Sequence, residues 1–255
     1  MRHAPSFDLT GHVALVTGAS RGIGAALAKG LAAAGAEIIL AARTEPALAE
    51  VAADITAAGG RAHAETVDVA DSASVDAMFE RLSQAGRTPT ILINNAGTEQ
   101  VAPALEVTDA LWDRIVGVNL KGAFNVAKAF ARTLGGKPGA IVNLCSLSSE
   151  VGIPTAVPYT SSKSGLAGMT RALAAEWAPL GIRVNGLGPG YFRTEMTEAF
   201  FAAEAWQSAM LARIPQRRFG ELDDLTGAAI FLCAPASAYV TGQILYVDGG
   251  YLASI

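Results

Sequence analysis

The chain holds 255 residues, 51% of them hydrophobic, with 27 glycines, two cysteines and a formal net charge of −4. One sizeable core can be built from that length, and so mild an acidity excludes a basic surface for nucleic acid or anionic membrane. Cys145 and Cys233 stand inside apolar runs, which fits free thiols in a reducing cytoplasm, and neither the opening MRHAPSFDLTG nor any later run reaches the ~20 apolar residues of a membrane span.

Along the chain, apolar β-rich runs alternate with alanine-rich helical stretches. The runs are HVALVT, EIILAA, AHAETV, TILINN, AIVNLC, IRVNGLG and ILYVDGG. They are short and lack strict apolar–polar alternation, as strands buried on both faces do, and strand–helix alternation implies a parallel sheet. The expected fold is α/β: one Rossmann-type doubly wound domain over 1–255, a seven-stranded parallel sheet with helices on both faces. Its ligand crevice is expected at the carboxyl ends of the strands. The stretch from Tyr191 to Phe219 breaks the alternation and reads as a small helical lid before Glu221 opens the next helix.

The first strand leads directly into Thr17-Gly18-Ala19-Ser20-Arg21-Gly22-Ile23-Gly24, with a helix after it. Glycines there let the backbone turn tightly and approach a pyrophosphate that the helix N-terminus stabilises. The spacing is Gly-x3-Gly-x-Gly, not the general Gly-x-Gly-x2-Gly. The second strand ends in Ala41-Ala42-Arg43-Thr44, with no carboxylate to accept from a ribose 2′-hydroxyl. Arg43, with Arg21 of the glycine loop, instead offers guanidinium groups to a 2′-phosphate, so NADP(H) is the expected cofactor and NAD(H) the alternative. After the third strand, Asp68-Val69 can bring a carboxylate to an adenine, or Asp68 can cap the helix starting near Ser72. The fourth strand ends in Asn94-Asn95-Ala96-Gly97, whose amides are expected mainly to bond neighbouring backbone.

Ser146 ends the fifth strand, and Tyr159-Thr-Ser-Ser-Lys163 opens a helix shortly after it. Tyrosine and lysine at i and i+4 share one helix face. A nearby ammonium favours phenolate and lowers the phenol pKa from near 10. Tyr159 can then act as general acid for ketone reduction, or as base for alcohol oxidation. Ser146 can hydrogen-bond the same oxygen as its charge develops.

In order and spacing, TGASRGIG, NNAG, Asn119, Ser146, the YTSSK run and the Pro189-Gly190 turn resemble the short-chain dehydrogenase/reductase family over essentially the whole chain. That resemblance implies an NAD(P)-dependent enzyme with Tyr159 as acid/base, Lys163 on both the tyrosine and the nicotinamide ribose, and Ser146 orienting substrate. It gives Asn119 a place in a water-mediated proton relay and sets Asn95 beside the adenine-side ribose, in the NNAG run with Ala96 and Gly97. Pro189, Gly190 and Thr194 would contact the nicotinamide carboxamide. No metal is expected. The family also implies a homotetramer joined through the helix after Tyr159, which is rich in small residues, and through the apolar C-terminal run from Ile244 to Ile255.

Within the family, AAEWAPLGIRVNGLGPGYFRTEM and GQILYVDGG look like gluconate 5-dehydrogenases and related polyol or ketone reductases. A sugar acid needs a cation in the pocket, yet Glu99, Gln100, Val101 and Ala102 follow NNAG, where such enzymes often carry basic residues. The lid offers Tyr191, Phe192, Met196, Phe200, Phe201, Trp206 and Met210, of which no more than about half are expected to face substrate. A neutral ketone or secondary alcohol is therefore expected, with Glu99, Glu150 and Tyr191 as candidate polar contacts. Gluconate 5-dehydrogenase and 3-oxoacyl-[acyl-carrier-protein] reductase are the alternatives within carbonyl chemistry. A non-catalytic dinucleotide-binding regulator would typically lack the Tyr–Lys pair. A sugar-nucleotide epimerase would show a longer C-terminal domain, and divergent enoyl reductases space Tyr and Lys more widely.

Overall fold

The computed structural model describes residues 5–195 and 197–254, with backbone alone for Ala199 and Phe200. In chain order the first half runs β1 (Val13–Thr17), α1 (Gly22–Ala33), β2 (Glu37–Ala42), α2 (Glu45–Ala57), β3 (Arg61–Thr66), α3 (Ser72–Gln84) and β4 (Ile91–Asn94). It continues with α4 (Asp109–Val116), α5 (Ala123–Thr133), β5 (Gly139–Leu144), α6 (Val157–Trp177) and β6 (Ile182–Pro189). Two short helices, α7 (Glu198–Phe201) and α8 (Glu204–Arg213), precede α9 (Leu222–Cys233) and β7 (Ile244–Val247).

The seven strands form one parallel sheet in the order β3-β2-β1-β4-β5-β6-β7. Strand direction makes the sequence pattern intelligible. Ala14 and Val16 of β1 point into one core with α1, α2 and α9, whereas Leu15 points into the other with α3, α5 and α6. Successive side chains alternate faces, so a sheet covered on both sides needs apolar residues at every position. Close helix packing follows from small residues. A Cβ at Gly30 of α1 would stand 2.0 Å from the Thr226 methyl on α9. Arg183 of β6 terminates α9 by donating to the carbonyls of Leu232 at 2.9 Å and Cys233 at 3.3 Å.

The order reverses between β1 and β4, and a doubly wound sheet opens its ligand crevice at such a point. The loops after β1 and β4 meet there. Among the described residues, no helix is long and apolar enough to cross a membrane, and no cluster of metal-ligating side chains occurs.

The stretch expected to form a lid holds two helices, and its aromatics pack mainly on one another. Tyr191 meets Trp206 and Tyr251 edge-on at 5.5 and 5.3 Å, and Phe201 meets Phe219 at 4.7 Å. Phe192 and Phe201 are buried, Phe192 within the α1–α9 core. Met196 and the side chain of Phe200 lie outside the described residues, as does Ile255 at the end of the C-terminal run.

Candidate active site

At the nucleotide end, the loop after β1 is shaped by crowding. Gly18 and Gly22 take positive φ, +63° and +54°, and a Cβ at Gly24 would stand 2.2 Å from the Gly18 carbonyl oxygen. The loop is also tied to β4. Asn95 Nδ2 donates to the carbonyls of Thr17 (3.0 Å) and Gly18 (3.1 Å), while Thr17 Oγ1 accepts from the amides of Asn95 and Ala96, both at 3.0 Å. Asn95 thus bonds backbone as expected, whereas Asn94 Nδ2 reaches across the sheet to Asn143 Oδ1 and to the Ala123 carbonyl. Arg21 is the N-cap of α1 and makes no side-chain bond to the helix, so the first-turn amides face the crevice without a protein cap. Ser20, Gly22 and Ile23 remain partly accessible along this rim. A cradle that only glycine can occupy, ending on an uncapped helix N-terminus, fits a dinucleotide pyrophosphate.

Thr17 and Ala41 are in register, so Arg43, two residues past Ala41, stands exposed beside the loop. Arg21 is paired with Glu195, and a Cβ at Gly22 would lie 3.8 Å from Thr194, which places the segment before α7 over the glycine loop. Asp68 is exposed and accepts from the Ala70 amide at 3.0 Å; Asp71, not Asp68, caps α3 by accepting from Ala73 at 2.9 Å. Val69 is buried against Gly122.

At the chemical end, Asn119 sits in a π-helical stretch, Gly117–Gly122, between α4 and α5. The wider turn is a frequent device at functional sites. Asn119 Oδ1 accepts from the Thr98 amide at 2.8 Å, and its Nδ2 donates to the Thr98 carbonyl at 2.9 Å and to Ser162 Oγ at 3.1 Å. Ser162 in turn donates to the Tyr159 carbonyl at 2.7 Å. Gly97 links the two ends of the crevice: a Cβ there would be 3.5 Å from Asn119 Oδ1 and 3.9 Å from Lys163 Nζ.

Ser146, just past β5, caps a single 3-10 turn over Leu147–Ser149, its Oγ accepting from the Ser148 amide at 3.2 Å. Its hydroxyl faces Tyr159 and favours the phenolate form. Lys163 is 5% exposed, and its Nζ lies 5.6 Å from the centre of the Tyr159 ring. Burial pulls the Lys163 ammonium down to about 8. The expected lowering of Tyr159 is reversed in these surroundings. Burial and then the Glu99 carboxylate hold its pKa well above the ordinary phenol value, and the Ser146 hydroxyl acts the other way. The result is a phenol that stays protonated, faced by a serine and backed by a lysine: a proton donor for an oxygen bound at this point.

Of the three expected substrate contacts, only Glu99 faces this group. Glu150 accepts from Tyr246 at 2.8 Å and lies 3.8 Å from Arg171, and Tyr191 packs edge-on against Tyr251. Gly190, after β6, is pressed against Asp248, where a Cβ would be 2.6 Å from its Cα, and its amide donates to Val247. Sequence reasoning missed Thr17, Ser162 and Glu195. Ser162 carried a signal, a hydroxyl within YTSSK; Glu195 carried none, because its partner is 174 residues away.

A family model described as "Enoyl-(Acyl carrier protein) reductase" matches residues 18–252. A gluconate 5-dehydrogenase of Gluconobacter oxydans is 41% identical over 100% of both chains. A galactitol 2-dehydrogenase (L-tagatose-forming) of Cereibacter sphaeroides is 41% identical over 98% of this chain and 99% of its own. Among solved structures, a gluconate 5-dehydrogenase from Burkholderia cenocepacia, in complex with NADP and tartrate, is 41% identical, covers 98% of both chains and superposes with a TM-score of 0.95. With the glycine cradle, the Ser146–Tyr159–Lys163 group and these full-length likenesses together, the chain belongs to the short-chain dehydrogenase/reductase family and is an oxidoreductase interconverting ketones and secondary alcohols.

Proposed function

We propose that this enzyme uses NADP(H) to reduce, reversibly, a ketone set in a hydroxylated carbon chain. The observation carrying the proposal is the convergence of Tyr159, Ser146 and Lys163 beside Gly97, where the chemical end meets the nucleotide crevice. When bound, the cofactor supplies the hydride. Gly18, Gly22 and Gly24 would hold its pyrophosphate against the N-terminus of α1, with Arg43 beside a 2′-phosphate, and Lys163 would hold the nicotinamide ribose. Ser146 donates to the substrate carbonyl, and Tyr159, kept protonated, delivers its proton to that oxygen. Asn119 fixes the loop above them.

NADP(H) over NAD(H) is supported by Arg43 where a carboxylate would serve NAD(H), and by the Burkholderia relative's complex with NADP. A hydroxylated substrate is supported by relatives named for gluconate and for galactitol. The lid over 191–219 would close the substrate side. Assembly as a homotetramer is supported by surface left open: Trp112 and Phe124 are each 39% exposed, and Gly168, Ala172 and Ala175 line an exposed face of α6. The test is a panel of 5-ketogluconate, neutral ketohexoses and simple cyclic ketones with each cofactor. Activity with NADPH on the hydroxylated members supports the reading; no turnover of any member with either cofactor overturns it.

A further inference from the structure

The loop after the NNAG run is clamped at both ends over the reacting groups. At its start, both backbone groups of Thr98 are bonded to the Asn119 amide. At its end, the Ala102 amide donates at 2.8 Å to the carbonyl of Thr155, just ahead of α6. Thr155 is held there at φ +66°, a left-handed conformation unusual for a β-branched residue. Between the clamps, Gln100 and Val101 are exposed while Glu99 is half-buried. The carboxylate therefore turns inward, within electrostatic reach of Tyr159 and Lys163.

Such a group is costly without a use. Half-burial raises the Glu99 carboxyl above its ordinary range, and the carboxylate in turn opposes charge on the Tyr159 oxygen. Among the described residues, Glu99 makes no ion pair within 4 Å.

We infer that Glu99 is a specificity-determining residue whose carboxylate accepts hydrogen bonds from hydroxyls flanking the reacting carbon, so that the substrate is a neutral polyol or its ketose. This inference rests on the proposed ketone reduction and narrows its substrate. Charge selects among the candidates. Glu99 and Lys163 together leave the inner site neutral. A sugar acid would add an anion beside a carboxylate, and an amino alcohol would crowd a second cation against Lys163. A neutral chain with adjacent hydroxyls disturbs neither, and it supplies the donors that an acceptor-only carboxylate requires.

The test compares wild type with Glu99→Gln, which keeps size and removes charge, in kcat/KM with NADPH for a neutral ketohexose, 5-ketogluconate and cyclohexanone. Binding of a neutral hexitol to the enzyme–NADP+ complex is measured by calorimetry alongside. Wild type should favour the ketohexose over 5-ketogluconate. Glu99→Gln should lower the ketohexose-to-cyclohexanone ratio of kcat/KM and the hexitol affinity about tenfold. Turnover of ketones with an unchanged ketohexose-to-cyclohexanone ratio, or a wild-type preference for 5-ketogluconate, overturns the role given to Glu99 and leaves the ketone reductase standing. Absence of any ketone turnover by wild type overturns both.

Discussion

The ammonium of Lys163 donates to the main-chain oxygen of Leu144 at 2.6 Å, so the helix that carries Tyr159 is bonded through its catalytic face to the tip of β5. The bond uses one of the three N–H groups of the ammonium and fixes the lysine one helical turn from the tyrosine.

Holding that ammonium inside the protein should cost stability. Its pKa falls from 10.5 to about 8, so the unfolded chain binds more protons between those values and stability rises with pH across that window. The cost is fully present below pH 8 and amounts to roughly 3 kcal/mol. Lys163→Met should therefore stabilise the unliganded fold at pH 7 by about 1–2 kcal/mol, after allowing for the lost bond to Leu144. Urea midpoints at pH 7 and pH 10 check this: the gap between variant and wild type should narrow at the higher pH. A variant less stable than wild type at pH 7 would refute it.

Ketone reduction should follow the same group. With Tyr159 protonated throughout, kcat/KM is expected to be level from pH 6 to 7.5 and to fall as pH rises through about 8, where Lys163 loses its charge. A profile that climbs through pH 8 would contradict this assignment.

Tyr159→Phe keeps the ring and its packing but removes the transferable proton. Turnover should drop ~10²-fold or more while NADPH affinity stays within a factor of two or three. Retention of a tenth of the wild-type rate would mean that another group is the acid.

Cofactor preference should turn on the end of β2. Ala42→Asp with Arg43→Ser places a carboxylate near the ribose and removes a guanidinium from the 2′-phosphate. NADPH preference should fall by ~10–100-fold, the worth of a charge-assisted contact of roughly 1.5–3 kcal/mol. Arg21, already held by Glu195, should matter less when replaced alone. Steady-state ratios for both cofactors decide it, and a wild type that already favours NADH would defeat the reading.

The assembly prediction is a sedimentation mass of four 26.1 kDa chains at micromolar concentration. Trp112→Glu, placing charge on the exposed face of α4, should lower that mass. A wild-type mass of one chain would exclude the tetramer.

The inner strands, their parallel sense and the glycine loop were legible because burial on both faces leaves continuous apolar runs and because a pyrophosphate cradle demands glycine at fixed spacing. At the sheet edge, β3 is instead exposed or half-exposed along its length, not buried on both faces as expected. Tyr159 and Lys163 were legible for a similar reason, since one helix turn converts sequence spacing into proximity. Contacts made by folding were not. Nothing local reveals that Glu195 would reach Arg21 or that Leu144 would receive Lys163. The sign of the Tyr159 shift was missed because i and i+4 spacing reports the neighbouring cation but not the depth of burial. Asp71 was overlooked although it immediately precedes Ser72, where the helix begins; Asp68 drew attention because it follows the strand directly.

Asn95 donates to the glycine loop's carbonyls from the end of β4, and the Thr17 hydroxyl oxygen accepts from the Asn95 and Ala96 amides in return. Two segments some 77 residues apart thus hold one another in place. A loop fixed this way before any ligand arrives has little conformational entropy left to lose, so most of its contact energy is available as affinity. Asn95→Ala should appear less as a missing contact than as a loop that must be ordered anew at every binding event, with dissociation of the nucleotide accelerated.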